Sequence, residues 1–536
     1  MTGLATLLSV LAVATVLALT WARLIYLLHM LQLEEYDTRR FVHWAVLHLD
    51  RLTANPMLDL LGLFGIVGLF LRLESAPSII IACSLSIAAG LAGLLWERRL
   101  GARSPVKKAL VMTPRARRLL VCTAILSVGT CIALFAGRTG LALAVASLLP
   151  IAAPVVLIAG RTIMEPVEAC IRDWYVRDAR RILAGFAPTV VGITGSYGKT
   201  STKFFTAHLL ESRYRVLMTP ESYNTAMGIC RVIRGQLGPE HEVFVAELAE
   251  NERGGFRHLL SLVPCSMSIV TSVGLQHLEE FGSEAAIRRV MQGFVSMSGS
   301  GPTVVLNGDD PVLADVGSVD GKRLLRASTE GSLPSDLRAE NVVMSAGGLS
   351  FDIVTDRDER FACHTTLLGR HNVENILLAV AVAREMGVSW AAIQESVATL
   401  QAPPHRLQMM TGAGGMRIID DAFNSNPAGF AMAMEVLAAF PSRRVLVTPG
   451  LVSLGGAEDA ANTEAGRQAA GAADMVILVG PKKTRPVREG LLSAGFPETS
   501  ILTACSLEDV TGLMRSLLAP GDTVMFENDL PDTYNE

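Results

Sequence analysis

The chain has 536 residues, half of them hydrophobic and only 18% charged, against about 25% charged in an average soluble domain; this balance excludes a disordered chain. Charge divides unevenly: 15 Lys and Arg stand against 8 Asp and Glu up to Glu165, a net of +7, and 32 against 43 beyond it, a net of −11. The acidic portion excludes a nucleic-acid surface, which needs a basic stripe to neutralise phosphates, and eight cysteines without CxxC pairs point to free thiols rather than a zinc site or disulfide framework.

Four uncharged runs, at 1–22, 75–96, 119–137 and 139–160, each approach the ~20 residues that a helix needs to cross the hydrocarbon core of a membrane. A fifth run, 52–71, carries only Asp59 but is interrupted by Pro56 and several glycines. Residues 1–165 are therefore predicted to form an α-helical membrane bundle of four or five spans, followed by a linker over 166–187. The first run lacks a basic leader and a small-residue cleavage site, so it is expected to stay attached. The loop at 97–118 holds Arg98, Arg99, Arg103, Lys107, Lys108, Arg115, Arg117 and Arg118 against Glu97 alone, which places it in the cytoplasm. With five spans the N-terminus lies outside and Arg39, Arg40 and Arg51 lie inside; with four, the N-terminus and the 24–74 segment change sides. Both versions deliver the chain after Arg161 to the cytoplasm, so an integral cytoplasmic-membrane protein with cytoplasmic catalytic domains is expected. The bundle is either a passive anchor among membrane lipid or a binder of a lipid or partner.

From residue 189 short β-branched runs alternate with helical periods, the pattern of an α/β fold with a parallel sheet. The run Thr189-Val190-Val191-Gly192-Ile193 leads into Thr194-Gly195-Ser196-Tyr197-Gly198-Lys199-Thr200-Ser201 and then an amphipathic helix to about Leu210. This reads as a phosphate loop: glycines let backbone N–H groups converge on phosphate oxygens at a helix N-terminus, Lys199 supplies charge, and the Thr200 hydroxyl suits Mg²⁺. Ile193 stands where the strict motif has its first glycine; the bland alternative is a Gly-rich turn. Glu247 follows the apolar run Val243 to Ala246, and His277 follows another buried strand. Parallel sheets present ligands at such strand ends, although a lone Glu or His there is more often a cap or a satisfied core residue. Asn375 opens an apolar helix, where the bland reading is a polar contact, and Arg406 alone is a surface arginine. Asp420-Asp421-Ala422-Phe423-Asn424-Ser425-Asn426-Pro427 follows the strand Arg417 to Ile419 and is, at its plainest, a turn and helix start. Strands at Val445 to Thr448, Met475 to Val479, Ser500 to Thr503 and Thr523 to Phe526 complete a Rossmann-like domain without a G-x-G-x-x-G fingerprint, so no dinucleotide is expected there.

Over about residues 188–530 the sequence resembles the Mur ligase superfamily, and within it the MurF type, which adds D-alanyl-D-alanine to the muramoyl tripeptide. The resemblance rests on the Thr194 to Ser201 loop, Tyr223-Asn224-Thr225-Ala226-Met227-Gly228, Glu247, and Thr271 through Ser283. It continues in Gly369-Arg370-His371-Asn372-Val373-Glu374-Asn375, Pro404-His405-Arg406, Asp420 to Pro427, and Thr448-Pro449-Gly450-Leu451-Val452-Ser453-Leu454-Gly455. It implies a central ATP-binding domain over 188–402 and a C-terminal Rossmann-like domain over 403–536, with ATP and Mg²⁺ as cofactors. Lys199, Glu247, His277 and Arg406 become the expected catalytic residues, with Thr200, Glu247 and His277 on the metal. Thr194, Gly195, Ser196, Gly198, Lys199, Thr200 and Ser201 would hold the phosphates, Asn375 the adenine, Arg406 the γ-phosphate, and Asp420 or Asp421 the ribose. Asn224, Thr225, Phe423, Asn424, Asn426 and Pro427 are the expected substrate-binding residues.

The implied reaction joins a carboxylate, on an envelope precursor that is either soluble or lipid-linked, to an amino acid or dipeptide through an acyl phosphate. Three departures stand out. The MurF type begins with a small UDP-gripping domain, for which the roughly 25 residues between the last span and the phosphate-loop strand leave no room. A gapless count places Met291 where the family has a carbamylated lysine on a second Mg²⁺, and Arg288 and Arg289 cannot substitute for it. Phe423 replaces the usual tyrosine. A poly-γ-glutamate synthase-like ligase and a non-enzymatic membrane scaffold remain as alternatives.

Overall fold

The computed structural model describes residues 2–71, 75–103, 109–135, 139–221, 223–249, 255–273, 284–297, 303–314, 316–319, 321–331, 334–423, 425–452 and 454–529. They form two compact units that divide between Arg172 and Asp173.

The first unit is helical: α1 (Thr2–Leu33), α2 (Thr38–Leu47), α3 (Leu49–Thr53), α4 (Pro56–Leu71), α5 (Ala76–Arg103), α6 (Pro114–Phe135) and the start of α7 (Thr139–Phe186). Asp37 caps α2 by accepting from the Arg39 and Arg40 amides. Helices α1, α5, α6 and α7 are long and apolar enough to cross a membrane. The 16 residues of α4 reach only about 24 Å at ~1.5 Å per residue, short of the ~30 Å core. Helices α1 and α5 run parallel and in register. Ser9 Oγ lies 3.4 Å from Cys83 Sγ, and fourteen residues further along both helices Arg23 pairs with Glu97 at 2.9 Å. Helix α4 runs the other way. Asn55, just before it, donates to Gly93 O at 3.1 Å and Glu97 Oε1 at 3.0 Å, while Leu58 and Leu61 pack with Val16, Leu19 and Ala89, earlier points on α1 and α5.

Two sequence expectations change here. The basic 97–118 stretch is mostly helix: Arg98, Arg99 and Arg103 extend α5, and Arg115, Arg117 and Arg118 open α6. Lys107 and Lys108 lie outside the described residues. The expected linker at 166–187 is the last part of α7. It stays helical because Val176, Ala179 and Leu183, spaced for one helix face, are buried in the core of the second unit.

In that unit β1 (Thr189–Thr194), β2 (Val216–Met218), β3 (Val243–Glu247), β4 (Met267–Val270), β5 (Thr303–Asn307), β6 (Arg323–Ser328), β7 (Leu337–Ser345), β8 (Gly348–Thr355) and β9 (Arg360–Thr365) form one sheet in the order 2-3-1-4-5-6-7-8-9. It is parallel through β7 and antiparallel beyond, a mixed edge that the sequence reading did not foresee. Both faces are covered, as a parallel sheet requires. Val191 and Ile193 of β1 face one core with Phe205 and Leu209 of α8 (Lys199–Glu211), while Val190 faces the other. A second sheet is built from β10 (Gln408–Thr411), β11 (Arg417–Asp421), β12 (Arg444–Thr448), β13 (Met475–Val479), β14 (Ile501–Ala504) and β15 (Thr523–Glu527) in the order 10-11-15-12-13-14. Strand β10 is antiparallel to β11; the other pairs are parallel. The register sets Ile193 beside Glu247 in the first sheet and Asp421 beside Glu527 in the second. Each pair sits at the C-terminal ends of its strands, where α/β sheets bind ligands.

Candidate active site

The loop between β1 and α8 turns within five residues. Thr194 is buried, Gly195 has φ +136° and Gly198 φ +79°, conformations that a side chain resists. A Cβ on Gly195 would lie 2.1 Å from Thr271 Oγ1, and one on Gly198 would lie 2.4 Å from Asn375 Oδ1. The loop is braced from the end of β4. The Ser196 amide donates to Ser272 O at 2.7 Å, and Thr271 Oγ1 donates to Tyr197 O at 2.5 Å and Thr194 O at 3.1 Å. Lys199 folds back so that Nζ donates to Gly195 O at 2.7 Å and Ser196 O at 3.1 Å. Burial draws its ammonium below the ordinary lysine range, opposed by Glu247 and helped by Arg406. Ser201 follows, half-buried, in the first turn of α8.

Glu247, 1% exposed, is the hub of this region. Its Oε2 accepts from Thr200 Oγ1 at 3.0 Å and from Lys203 Nζ at 3.2 Å, and its Oε1 accepts from Asn224 Nδ2 at 3.2 Å. Its amide donates to Thr219 Oγ1. The hydroxyl and carboxylate of Thr200 and Glu247 fit Mg²⁺, which takes one or two protein oxygens and fills its octahedron with water and phosphate. Among the described residues no three His, Cys, Asp or Glu side chains converge as a metal site. His277, with all of 274–283, lies outside the described residues, as do Asn424 and the Met291 side chain. Arg288 and Arg289 lie on α11 (Glu284–Met297).

Asn375, expected at the adenine, lies on α12 (His371–Glu385). It sits beneath the loop, accepting from Thr202 Oγ1 at 3.1 Å and donating to Asn372 Oδ1 at 3.3 Å. Thr225 spends its hydroxyl as the N-cap of a helix beginning at Ala226, on the Gly228 amide. Asn426 likewise caps α13 (Pro427–Ala438), with Pro427 in the first turn; at these positions the turn-and-cap chemistry is what the geometry contains.

Arg406 stands between two left-handed residues, His405 at φ +60° and Leu407 at +45°, a backbone state that costs of order 1–3 kcal/mol per non-glycine residue. Asp420 and Asp421 hold those flanks: Asp420 Oδ2 lies 2.7 Å from His405 Nδ1, and Asp421 Oδ1 accepts from the Leu407 amide at 3.1 Å. The Arg406 guanidinium lies 4.6 Å from the centre of the Phe423 ring, a cation–π contact, and feels both Asp421 and Glu247. Burial raises Asp421 to about 6, against the Leu407 amide and Arg406.

The sequence reading missed several residues. Lys203 was hidden because a lysine four residues after Lys199 reads as a solvated helix face, yet it is fully buried. Glu527, fully buried at the end of β15, accepts from Ser425 Oγ and from Thr448 Oγ1 at 3.1 Å. Beside it the Asn528 amide donates to Asp421 O, and its side chain binds the Ser425 amide and Gly450 O. Burial pushes Glu527 up to about 8. His371, whose buried Nδ1 has no hydrogen-bond partner among the described residues, is lowered to about 4 by burial and Arg406 and is therefore neutral.

Residues 193–383 match the family described as the Mur ligase middle domain, and 405–527 match the Mur ligase glutamate ligase domain. The UDP-N-acetylmuramoyl-tripeptide–D-alanyl-D-alanine ligase of Escherichia coli K12 is 31% identical over 327 residues, covering 59% of this chain and 72% of the relative. The same-named enzyme of Mycobacterium tuberculosis H37Rv is 32% identical, over 48% of this chain and half of its own length. The MurF ligase of Thermotoga maritima, solved with ADP, superposes with a TM-score of 0.59 at 25% identity, covering 68% of this chain and 81% of that one.

Two outcomes follow from this geometry. Gly198→Ala, clashing with Asn375 at an unfavourable φ, is expected to weaken binding of a non-hydrolysable ATP analogue about tenfold or more by calorimetry while preserving the circular dichroism spectrum; unchanged affinity would disprove the close packing. For Glu527 the folded state keeps its proton between the unfolded glutamate value of 4.5 and about 8, so folding binds a proton in that window and stability falls as pH rises through it. Glu527→Gln, which imitates the protonated acid, should therefore match wild type near pH 5 and melt roughly 5 °C higher at pH 8.5, and parallel melting curves across that range would contradict the assignment.

Proposed function

The chain belongs to the Mur ligase family of ATP-dependent ligases that form carbon–nitrogen bonds, and from that premise we propose that it is a MurF-like ligase working through an acyl phosphate at the cytoplasmic face of a membrane. The observation that carries the reading is the Thr200–Glu247 pair set behind the Lys199 loop, with the Arg406 guanidinium close enough to feel the same carboxylate. A carboxylate is a poor electrophile. One of its oxygens attacks the γ-phosphorus of ATP, ADP leaves, and the amine then adds to the acyl carbon and expels phosphate. Lys199 and Arg406 spread the negative charge that builds on the transferring phosphoryl group. Thr200 and Glu247 would hold Mg²⁺, which would supply further Lewis-acid charge there. Arg406 rides on the strained 405–407 turn tied to Asp420 and Asp421, so closure of that turn over the nucleotide brings in a cation and excludes the water that hydrolyses acyl phosphates.

The relatives' names supply the substrate class: a muramoyl-peptide carboxylate and D-alanyl-D-alanine. We carry the acceptor as an envelope precursor held near the bilayer, because Arg98, Arg99, Arg115, Arg117 and Arg118 gather at two helix ends and each nearby basic residue attracts an anionic headgroup by ~1 kcal/mol. The helix directions support five crossings. With α1 and α5 parallel, the chain between them must return, and α4 is the segment that does so. Its shortfall is about 6 Å, which local thinning of the bilayer accommodates.

An ADP-release assay on the full-length protein with muramoyl-peptide acceptors and D-alanyl-D-alanine is expected to show turnover that needs both substrates, and Lys199→Ala should reduce it by at least about 100-fold. Undiminished amide synthesis by that variant would sink the ligase reading. Five crossings place Arg39 and Arg40 in the cytoplasm, so a reporter active only there should work when fused after Arg40; activity restricted to an externally active reporter at that position would restore four.

A further inference from the structure

Lys203 has no part in the reaction as described, yet among the described residues it is the cation that forms an ion pair with Glu247. It lies one helical turn beyond Lys199 on α8, its side chain wholly buried, with Nζ 3.2 Å from Glu247 Oε2 and donating to the Glu221 carbonyl. The oxygen it occupies is the one that accepts from Thr200 Oγ1 at 3.0 Å, and the other carboxylate oxygen is taken by Asn224 at 3.2 Å. Glu247 thus meets three donors and one full positive charge before any cation arrives. Lys199 and Arg406 both interact electrostatically with the same carboxylate, so the surroundings of Glu247 are cationic. A free divalent ion is repelled by that arrangement, whereas a nucleotide polyphosphate is attracted by it and brings the negative charge a metal needs.

We propose that Lys203 is a positioning residue that neutralises and orients Glu247, so that the divalent cation enters as the metal–nucleotide complex and is not held by the protein alone. This rests on the ATP-dependent reading above and adds an order of binding to it. Lys203 fixes which lone pairs of Glu247 remain open, and Thr200 and the phosphates complete the set. The physical requirement is the buried ion pair: a lysine removed from water needs the carboxylate, and the carboxylate without the lysine would be an uncompensated negative charge seeking a cation.

The test is Mn²⁺ binding to the full-length protein in detergent, read by electron paramagnetic resonance with and without a non-hydrolysable ATP analogue. Wild type should leave Mn²⁺ free in the absence of nucleotide and immobilise it when the analogue is added. Lys203→Met should bind Mn²⁺ without nucleotide at least tenfold more tightly than wild type, and Lys203→Arg should restore the nucleotide requirement. Tight Mn²⁺ binding by nucleotide-free wild type overturns the proposal, and this measurement depends on no variant folding. Equal nucleotide-free Mn²⁺ affinity in Lys203→Met and wild type overturns it as well. Failure of wild type to bind the analogue at all, followed by calorimetry, would instead remove the ligase reading on which the proposal stands.

Discussion

A carboxylate taken almost wholly out of water at the end of a strand is the constraint around which the first sheet is arranged. An isolated buried Glu247 would cost several kcal/mol, and the fold offsets that cost with three donors, Thr200 and Lys203 on α8 and Asn224 on the loop after β2, while the Glu247 amide donates to Thr219. Together these contacts tie α8 and the Thr219 to Asn224 segment to the strand end. The helix that begins at the phosphate loop cannot shift along β3 without breaking two of these bonds, and the loop is pinned independently by Thr271, Ser272 and Asn375. The same atoms that make the carboxylate tolerable therefore hold the Gly195–Gly198 loop in place, which is the preorganisation that the proposed electrostatic catalysis needs.

The second sheet solves a similar problem with the opposite protonation. Asp421 and Glu527 are neighbours in register, and two buried carboxylates so close cannot both ionise cheaply. Burial lifts both, Glu527 further, so near neutral pH the pair carries mainly one charge, on Asp421. That charge faces Arg406 and the Leu407 amide. The neutral partner, with Asn528, binds Ser425 and the Gly450 carbonyl and so sets the path of the 420–428 loop. Arg406 thus reports on both sheets at once: its guanidinium feels Asp421 from one and Glu247 from the other.

Sequence order revealed the α/β alternation, the glycine-bearing loop between β1 and α8, the strand-end position of Glu247 and the strand at Arg417, because hydrophobic periodicity and glycine placement are local signals, but not β10, which precedes that strand in the second sheet. Lys203, Glu527 and Asn528 were not legible. A buried charge looks like a surface charge until its partner is known, and those partners lie 44 residues from Lys203 and up to 102 from Glu527. The antiparallel β7 to β9 edge escaped for a related reason, since strand direction is fixed by pairing and not by composition. Residues 166–187, read as a linker because they lie between the last apolar run and the first strand, continue α7, with three apolar positions on one face buried in the second unit. At Asn375, Thr225 and Asn426 motif order pointed to ligand contacts, and the structure adds a local task for each side chain: Thr225 and Asn426 cap helices, and Asn375 bonds Thr202 and Asn372.

The helical unit follows the same electrostatic logic among packed apolar helices. Arg23 is buried among apolar helices and is held by Glu97 at 2.9 Å and by the Leu52 carbonyl at 2.8 Å, with Asn55 sharing the same glutamate. Such a pair is weak evidence for stability, since two apolar residues of similar volume would often serve as well, but it is strongly directional. Sliding α1 by one turn against α5 would leave an arginine and a glutamate unpaired among apolar side chains, a far larger penalty than the apolar contacts alone could impose. With Ser9 and Cys83 repeating the offset at the other end, the polar contacts fix α1 parallel to α5, and that parallel alignment obliges the short α4 to reverse the chain between them. Helix order in this unit therefore depends on a few buried polar atoms, as loop geometry in the sheets depends on Glu247 and Glu527.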